Sequence, residues 1–264
     1  MRVYMMTDQE GAAGVISHAD YGGPDSRYYQ VARELVTAEV NAAIEGCLEA
    51  GATDILVVDG HGSGTIDIRL LHPAARLLAG RPLGYPFGCS GEFDVAMNIS
   101  QHAKANTDGG HLSHTGSSIV ENLTINGVSV GELGKNMLFA AYFGVPTVTV
   151  TGDAAVCEEA KALVPGIETA AVKEGLKRGS ASGLTLEEAR VFNGAAVHLS
   201  PEVARARIKE AARRGIERRH EIGPFWLEPP YEMVTVYRPG NGQSGRTVVV
   251  TSDDLLDLLT KRAS

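Results

Sequence analysis

Through its first half the chain alternates short apolar runs with stretches of helical spacing. Residues 2–6 form a short apolar run without helical period and predict a strand. From about Ser26 to Ala50 the apolar positions Val31, Leu35, Ala38, Ala42 and Leu48 predict a helix, capped by Asp25 or Ser26 and stopped by Gly51. Residues 54–59 (Asp-Ile-Leu-Val-Val-Asp) read as a buried parallel strand. The first 60 residues therefore predict a right-handed β-α-β unit. After an irregular Gly- and Pro-rich segment, with a short strand near 75–78, a further apolar stretch covers 93–99.

Strands over 119–125 and 128–130 flank Asn126-Gly127, a strong hairpin signal. Helical spacing follows from about Glu132 to Phe143, a strand over 145–151, and a short helix to Leu163 that Pro165 ends. Beyond it come a strand over 167–172, a polar loop with Lys173, Lys177 and Arg178, helices over 184–191 and 202–219, strands over 231–237 and 247–250, and a terminal helix over 252–262. The pattern predicts an α/β fold, a mostly parallel sheet with flanking helices, and a smaller α+β C-terminal subdomain. The expected division is 1–164, a metal-binding catalytic domain, and 165–264, a subdomain contributing to the substrate pocket and oligomer contacts.

Composition narrows the classes. Of 264 residues, 44% are hydrophobic, enough for a sizeable core. The net charge of -8 argues against nucleic acid as a partner. The basic cluster from Arg205 to Arg219, interleaved with Ala, Ile and Glu, reads as a solvated helix face. Three widely spaced cysteines suggest reduced thiols and a cytoplasmic setting. No apolar run approaches the roughly 20 residues that span a bilayer, and no long apolar stretch precedes Asp8, which argues against a secretory signal.

Candidate chemistry gathers where the apolar runs end. Asp8 and Glu10 follow the first strand, one residue apart. Two acids held that close repel unless a cation or a shared proton relieves them. His61 ends the second strand within Gly-His-Gly-Ser-Gly, which lacks the Gly-Lys-Ser/Thr of a P-loop. His102 ends the third apolar run, and Glu132 follows the hairpin. In an open parallel sheet these ends share one rim. Two imidazoles and three carboxylates suit zinc or a similar divalent ion, and five ligands suit two ions sharing a carboxylate. His18, His72, His198 and His220 read as structural or solvent-facing. Ser113 beside His114 lacks the Gly-x-Ser-x-Gly elbow of a serine hydrolase.

The pieces Thr-Asp-Gln-Glu-Gly (7–11), Val-Asp-Gly-His (58–61), Gln-His-Ala (101–103), Leu-Ser-His-Thr (112–115) and Val-Gly-Glu-Leu-Gly (130–134) resemble the D-aminopeptidase DppA family of zinc peptidases, M55, in order and interval across residues 1–180. The family pattern Ser-x-Asp-x-Glu-Gly has Met6 in place of its serine here, and Gly-Tyr-His-Ala reads Ser100-Gln-His-Ala. The resemblance implies Asp8, Glu10, His61, His102 and Glu132 as ligands to two zinc ions, with Asp8 the bridge, and His114 as the catalytic histidine. It implies a short peptide with a free N-terminus as substrate and a homo-oligomer, in the founding member a decamer of two stacked pentameric rings. The activity expected is aminopeptidase hydrolysis by metal-activated water. A metal-dependent amidase on a non-peptide amide and a non-catalytic peptide-binding protein are the alternatives. Lys173 is expected to contact substrate or a neighbouring subunit.

Overall fold

The computed structural model describes residues 1–84 and 86–260. A seven-stranded sheet runs in the order β3-β2-β1-β4-β7-β8-β9. Its strands are β1 (Arg2–Thr7), β2 (Asp54–Asp59), β3 (Ala75–Leu78), β4 (Val95–Gln101), β7 (Thr147–Asp153), β8 (Glu168–Gly175) and β9 (Ala196–His198). All pairs are parallel except β8 with β9. A four-stranded antiparallel sheet contains β5 (Val120–Ile125), β6 (Val128–Ser129), β10 (Tyr231–Tyr237) and β11 (Arg246–Ser252). The helices are α1 (His18–Tyr21), α2 (Tyr29–Glu49), α3 (Glu132–Tyr142), α4 (Ala154–Leu163), α5 (Leu186–Phe192), α6 (Pro201–Glu217) and α7 (Leu255–Thr260). The last two residues of the helix expected over 252–262 lie outside the described residues.

Strand β1 shows how the two faces fill. Its side chains alternate, so Val3 and Met5 join the core under α2, while Tyr4 and Met6 pack with Val58, Ala96 and Ala140 on the α3 face. The near-continuous apolar runs of β1, β2 and β4 follow from burial on both sides. Helices α2 and α6 meet at close range: a Cβ on Gly46 would lie 2.1 Å from the Lys209 carbonyl oxygen, so only glycine fits there.

Sheet membership does not change at residue 164. The smaller sheet takes β5 and β6 from before that point, and the large sheet takes β8, β9 and the packing of α6 from after it. The hairpin at Asn126-Gly127 pairs with β10, more than a hundred residues away.

Strand order decides where chemistry can sit. β1 lies between β2 and β4, so the chain leaves it in one direction through α2 to β2, and β4 returns on the other side. A crevice opens at the carboxyl ends of strands where the order reverses. The segments after β1, β2 and β4 carry Asp8 and Glu10, His61, and His102.

Candidate metal centre

The loop after β1 is held rigidly from several sides. The Asp8 amide donates to the Ile99 carbonyl at 3.0 Å and the Gly11 amide to the Ser100 carbonyl at 2.8 Å. Gly11 passes so close to β4 that a Cβ there would lie 2.1 Å from the Gln101 carbonyl oxygen. Ser100 adopts a left-handed conformation, φ 58°, at the end of β4. Its hydroxyl donates to Glu39 at 2.6 Å and its amide to Thr151 at 3.1 Å, contacts that fix this uncommon backbone.

Six side chains converge above this loop. Glu10 Oε1 lies 3.2 Å from His61 Nε2. His102 Nε2 lies 3.3 Å from Asp8 Oδ2 and 3.4 Å from Glu132 Oε1. His114 Nε2 lies 3.7 Å from the same Glu132 oxygen, and its ring stacks on His102 with centroids 4.0 Å apart. Glu132 opens α3 and accepts the Gly116 amide at 2.7 Å. Every site residue expected from the sequence therefore reaches one place.

The second nitrogen of each ring fixes its tautomer. His102 Nδ1 faces the Ala103 carbonyl and His114 Nδ1 the Leu112 carbonyl, both at 2.9 Å. A carbonyl only accepts, so both Nδ1 atoms carry hydrogen. His61 Nδ1 lies 3.1 Å from the Ser63 hydroxyl, whose own hydrogen goes to the Gly22 carbonyl at 2.8 Å. That hydroxyl must accept from His61. With Nδ1 carrying hydrogen in each ring, Nε2 is the nitrogen that faces the carboxylates. This is the arrangement metal-ligating histidines use.

The electrostatics state the same deficit of positive charge. Burial and the neighbouring Glu10 raise the Asp8 carboxyl well above its ordinary range. Burial pushes Glu10 the same way, but the charge of His61 and hydrogen bonds from His18 and His61 hold it well below. Glu132 is likewise lowered against the effect of burial, by the His102 ring 3.4 Å away. His61 is raised to about 9: burial opposes the proton, and Glu10 outweighs it. His102 is raised well above its ordinary value, again against burial, by Glu132 and Asp8. His114 is lowered to about 4 by burial and the charge of His102.

Several neighbours were not legible as site residues. His18, read as structural or solvent-facing, places Nδ1 3.3 Å from Glu10 Oε1 and its ring 5.1 Å from His114. Gln101, where the family pattern has tyrosine, donates from Nε2 to Asp8 Oδ2 at 2.7 Å and so orients that carboxylate. Lys173 is not exposed toward a substrate or neighbour. It is 3% exposed, and its ammonium donates to the backbone carbonyls of Glu10 and, at 3.2 Å, Val15. Burial lowers it to about 8, against Asp153 and Glu39. His111 is fully buried beside His198, ring centroids 5.4 Å apart, away from the cluster.

Do these residues fit metal? Glu10 Oε2 and His102 Nε2 are buried with no hydrogen-bond partner. Such atoms are costly unless something in the crevice takes them up. Two groups, Asp8-Glu10-His61 and His102-His114-Glu132, each bring their ligand atoms within 4.8 Å of one another. Asp8 Oδ2, 3.3 Å from His102, joins the two. Oxygen and imidazole donors in this number suit a divalent ion such as zinc.

A doubly wound sheet with buried carboxylates and imidazoles at its switch point defines the class as a metal-dependent hydrolase. The family model described as Peptidase_M55, D-aminopeptidase, matches residues 1–192. The chain belongs to this family. It is 34% identical over 188 residues to a D-aminopeptidase of Bacillus subtilis (strain 168), covering 70% of this chain and 68% of that protein. Among solved structures, the Zn-dependent D-aminopeptidase DppA from Bacillus subtilis, a self-compartmentalizing protease, superposes with a TM-score of 0.85 at 26% identity, covering 98% of this chain and 94% of that one.

Proposed function

We propose that the chain is a zinc-dependent aminopeptidase that removes N-terminal residues, D-residues among them, from short peptides by means of two zinc ions. Asp8, Glu10 and His61 would hold one ion, and His102 and Glu132 the other, with Asp8 shared. The observation that carries this reading is the convergence of imidazole Nε2 atoms on buried carboxylates, with Glu10 Oε2 and His102 Nε2 unpartnered. Zinc bound there supplies Lewis acidity and brings the pKa of water toward neutrality.

The remaining work falls to side chains. Gln101 and the Gln9 amide, which donates to Asp8 Oδ1 at 2.9 Å, fix the carboxylate plane of Asp8. His114 commits Nδ1–H to Leu112 and keeps Nε2 free to take a proton and pass it to the leaving amine. The acids of the first loop favour the free ammonium of a peptide. Residues 165–264 contribute to the pocket wall through Arg190, Val191 and Gly194.

Assembly of subunits, up to a decamer of two rings, is proposed from the self-compartmentalizing relative. Exposed Leu176 and Val197, at 59% and 61%, support such contacts. A cytoplasmic setting is supported by three buried free cysteines. Among the described residues no helix is long and apolar enough to cross a membrane.

The test is a panel of D-, L- and glycyl-peptides with simple amides, assayed before chelation, after it, and after zinc is restored. Hydrolysis of peptides should vanish and return with metal. His114→Ala should lower kcat by about 10²- to 10⁴-fold while zinc content stays at two per chain. Full peptidase activity in metal-free protein, or cleavage confined to non-peptide amides, would overturn the reading.

A further inference from the structure

A cavity of about 670 Å³ opens over the Glu10 and His114 side of the cluster. That volume lies within the range of small-ligand sites. Its walls include Ala19, Leu112 and Val191, with His18 and Arg190 among its polar groups. Among the described residues Glu10 is the one carboxylate in its lining, and it belongs to the ligand cluster. Most arginines of the chain have acceptors: Arg69 on Asp67, Arg76 on Asp54, Arg178 on Asp108. Among the described residues the exposed Arg190 guanidinium has neither an ion pair nor a hydrogen-bond partner.

The backbone of Arg190 is also held in fixed relation to His114. It stands on α5, whose start is locked by a reciprocal cap between Thr185 and Glu188 and by buried Leu186. Directly after α5, Asn193 donates to the Ser113 hydroxyl at 2.6 Å and accepts the Leu112 amide at 3.3 Å on its carbonyl. The segment 112–114, which carries His114, and the helix carrying Arg190 therefore form one bonded unit.

We infer that this cavity is the subsite for the part of the peptide beyond the cleaved bond, and that Arg190 binds the peptide's terminal carboxylate. The inference rests on the aminopeptidase reading above. A short peptide is a zwitterion, and the cavity lining holds a group for each of its charges: Glu10 beside the ligand cluster for the ammonium, and the Arg190 guanidinium for the carboxylate. A guanidinium fork matches a carboxylate in a bidentate pair, which an amide terminus does not reproduce. Each further residue moves the terminus by ~3.5 Å, so one fixed arginine selects peptides of a narrow length.

The experiment compares D-alanyl-glycine, its tripeptide homologue D-alanyl-glycyl-glycine, and the C-terminal amide of each, on zinc-loaded wild type, Arg190→Gln and Arg190→Glu. Wild type should cut one of the free acids with kcat/KM about ten- to a hundredfold above its amide. In Arg190→Gln that ratio should fall to within about twofold, through a rise in KM for the acid, with the amide unaffected. Arg190→Glu should make the amide the better substrate. Amide hydrolysis in both variants reports an intact catalytic centre. Equal cleavage of acid and amide by wild type, or a preference kept in Arg190→Gln, overturns the assignment and leaves the aminopeptidase reading standing. Cleavage of neither form by zinc-loaded wild type overturns both.

Discussion

Acidic and basic side chains crowd two regions of this molecule, with opposite outcomes. Along the outer face of α6, Arg213 pairs with Glu210 at 2.7 Å and Glu217 at 2.6 Å, and Arg214 and Arg218 pair with Glu168. Each of these charges has its opposite, and the arginines stay partly in water. On the rim above β1, β2 and β4, Asp8, Glu10 and His102 are buried and His61 is partly so, and among the described residues no lysine or arginine pairs with their carboxylates. Buried charges without partners are expensive. A paired cluster is explained once its pairs are named, whereas an unpaired buried one points to a ligand. Counting charged residues would not separate the two regions; counting their partners does.

The sharpest way to break that contrast is at its shared carboxylate. Asp8→Asn keeps the shape of the side chain and the bond from Gln101 through its remaining oxygen, but removes the charge common to both ligand groups. Zinc content should drop below two per chain, and kcat/KM should fall by more than about a thousandfold. Elemental analysis of folded protein alongside the peptide assay measures both. Two ions retained with normal turnover would show that the rim is only an acidic surface.

The ligand rim was legible because each piece follows an apolar run. Strands read from composition put Asp8, Glu10, His61 and His102 at strand ends, and parallel order makes those ends one edge. Glu132 was read from its place after the hairpin, and His114 came from a family pattern, since no periodicity marks a loop histidine. What stayed hidden depends on contacts between distant residues. His18 reaches Glu10 because Ser17 caps a four-residue helix that the Gln9 side chain ties back, its Nε2 donating to the Tyr21 carbonyl at 2.7 Å. Lys173 sits in a strand of ordinary composition, and only the fold reveals that its ammonium lies under the Glu10 loop. The mixed membership of the smaller sheet was hidden for the same reason: β5 finds its partner β10 across the whole chain.

A third group of charges falls between the two regions. Behind the rim, Glu39 is 3% exposed, accepts the Ala13 amide at 2.8 Å and the Ser100 hydroxyl at 2.6 Å, and feels Lys173. Burial outweighs these partners and raises its carboxyl from 4.5 to about 7. The folded state therefore holds this proton more tightly than the unfolded chain. Its contribution to stability is complete below about pH 4.5 and is lost as pH rises through about 7. Glu39→Gln removes that dependence. Between pH 4.5 and pH 8, the stability of the variant relative to wild type should move in its favour by about 3 kcal/mol. Urea unfolding of both proteins at several pH values reads this directly. A difference that does not change with pH would place Glu39 among the fully compensated charges, with those of α6.

The smallest effect belongs to α6 itself. Arg213 makes two ion pairs at less than 3 Å, and by the count of contacts it looks like an anchor of the helix. Its side chain is 32% exposed and its partners Glu210 and Glu217 are 45% and 47% exposed, so water competes for each charge and long side chains lose entropy in pairing. Helix α6 is held instead by its buried face, where Ala204, Ile208, Ala211, Ala212 and Ile216 pack against the core. Arg213→Ala should accordingly shift Tm by no more than about 2 °C and leave zinc content and turnover unchanged. Thermal unfolding at low and high salt checks it. A large, salt-sensitive loss would mean that the paired face does more than solvate the helix, and the contrast with the rim would then have to be drawn from burial alone.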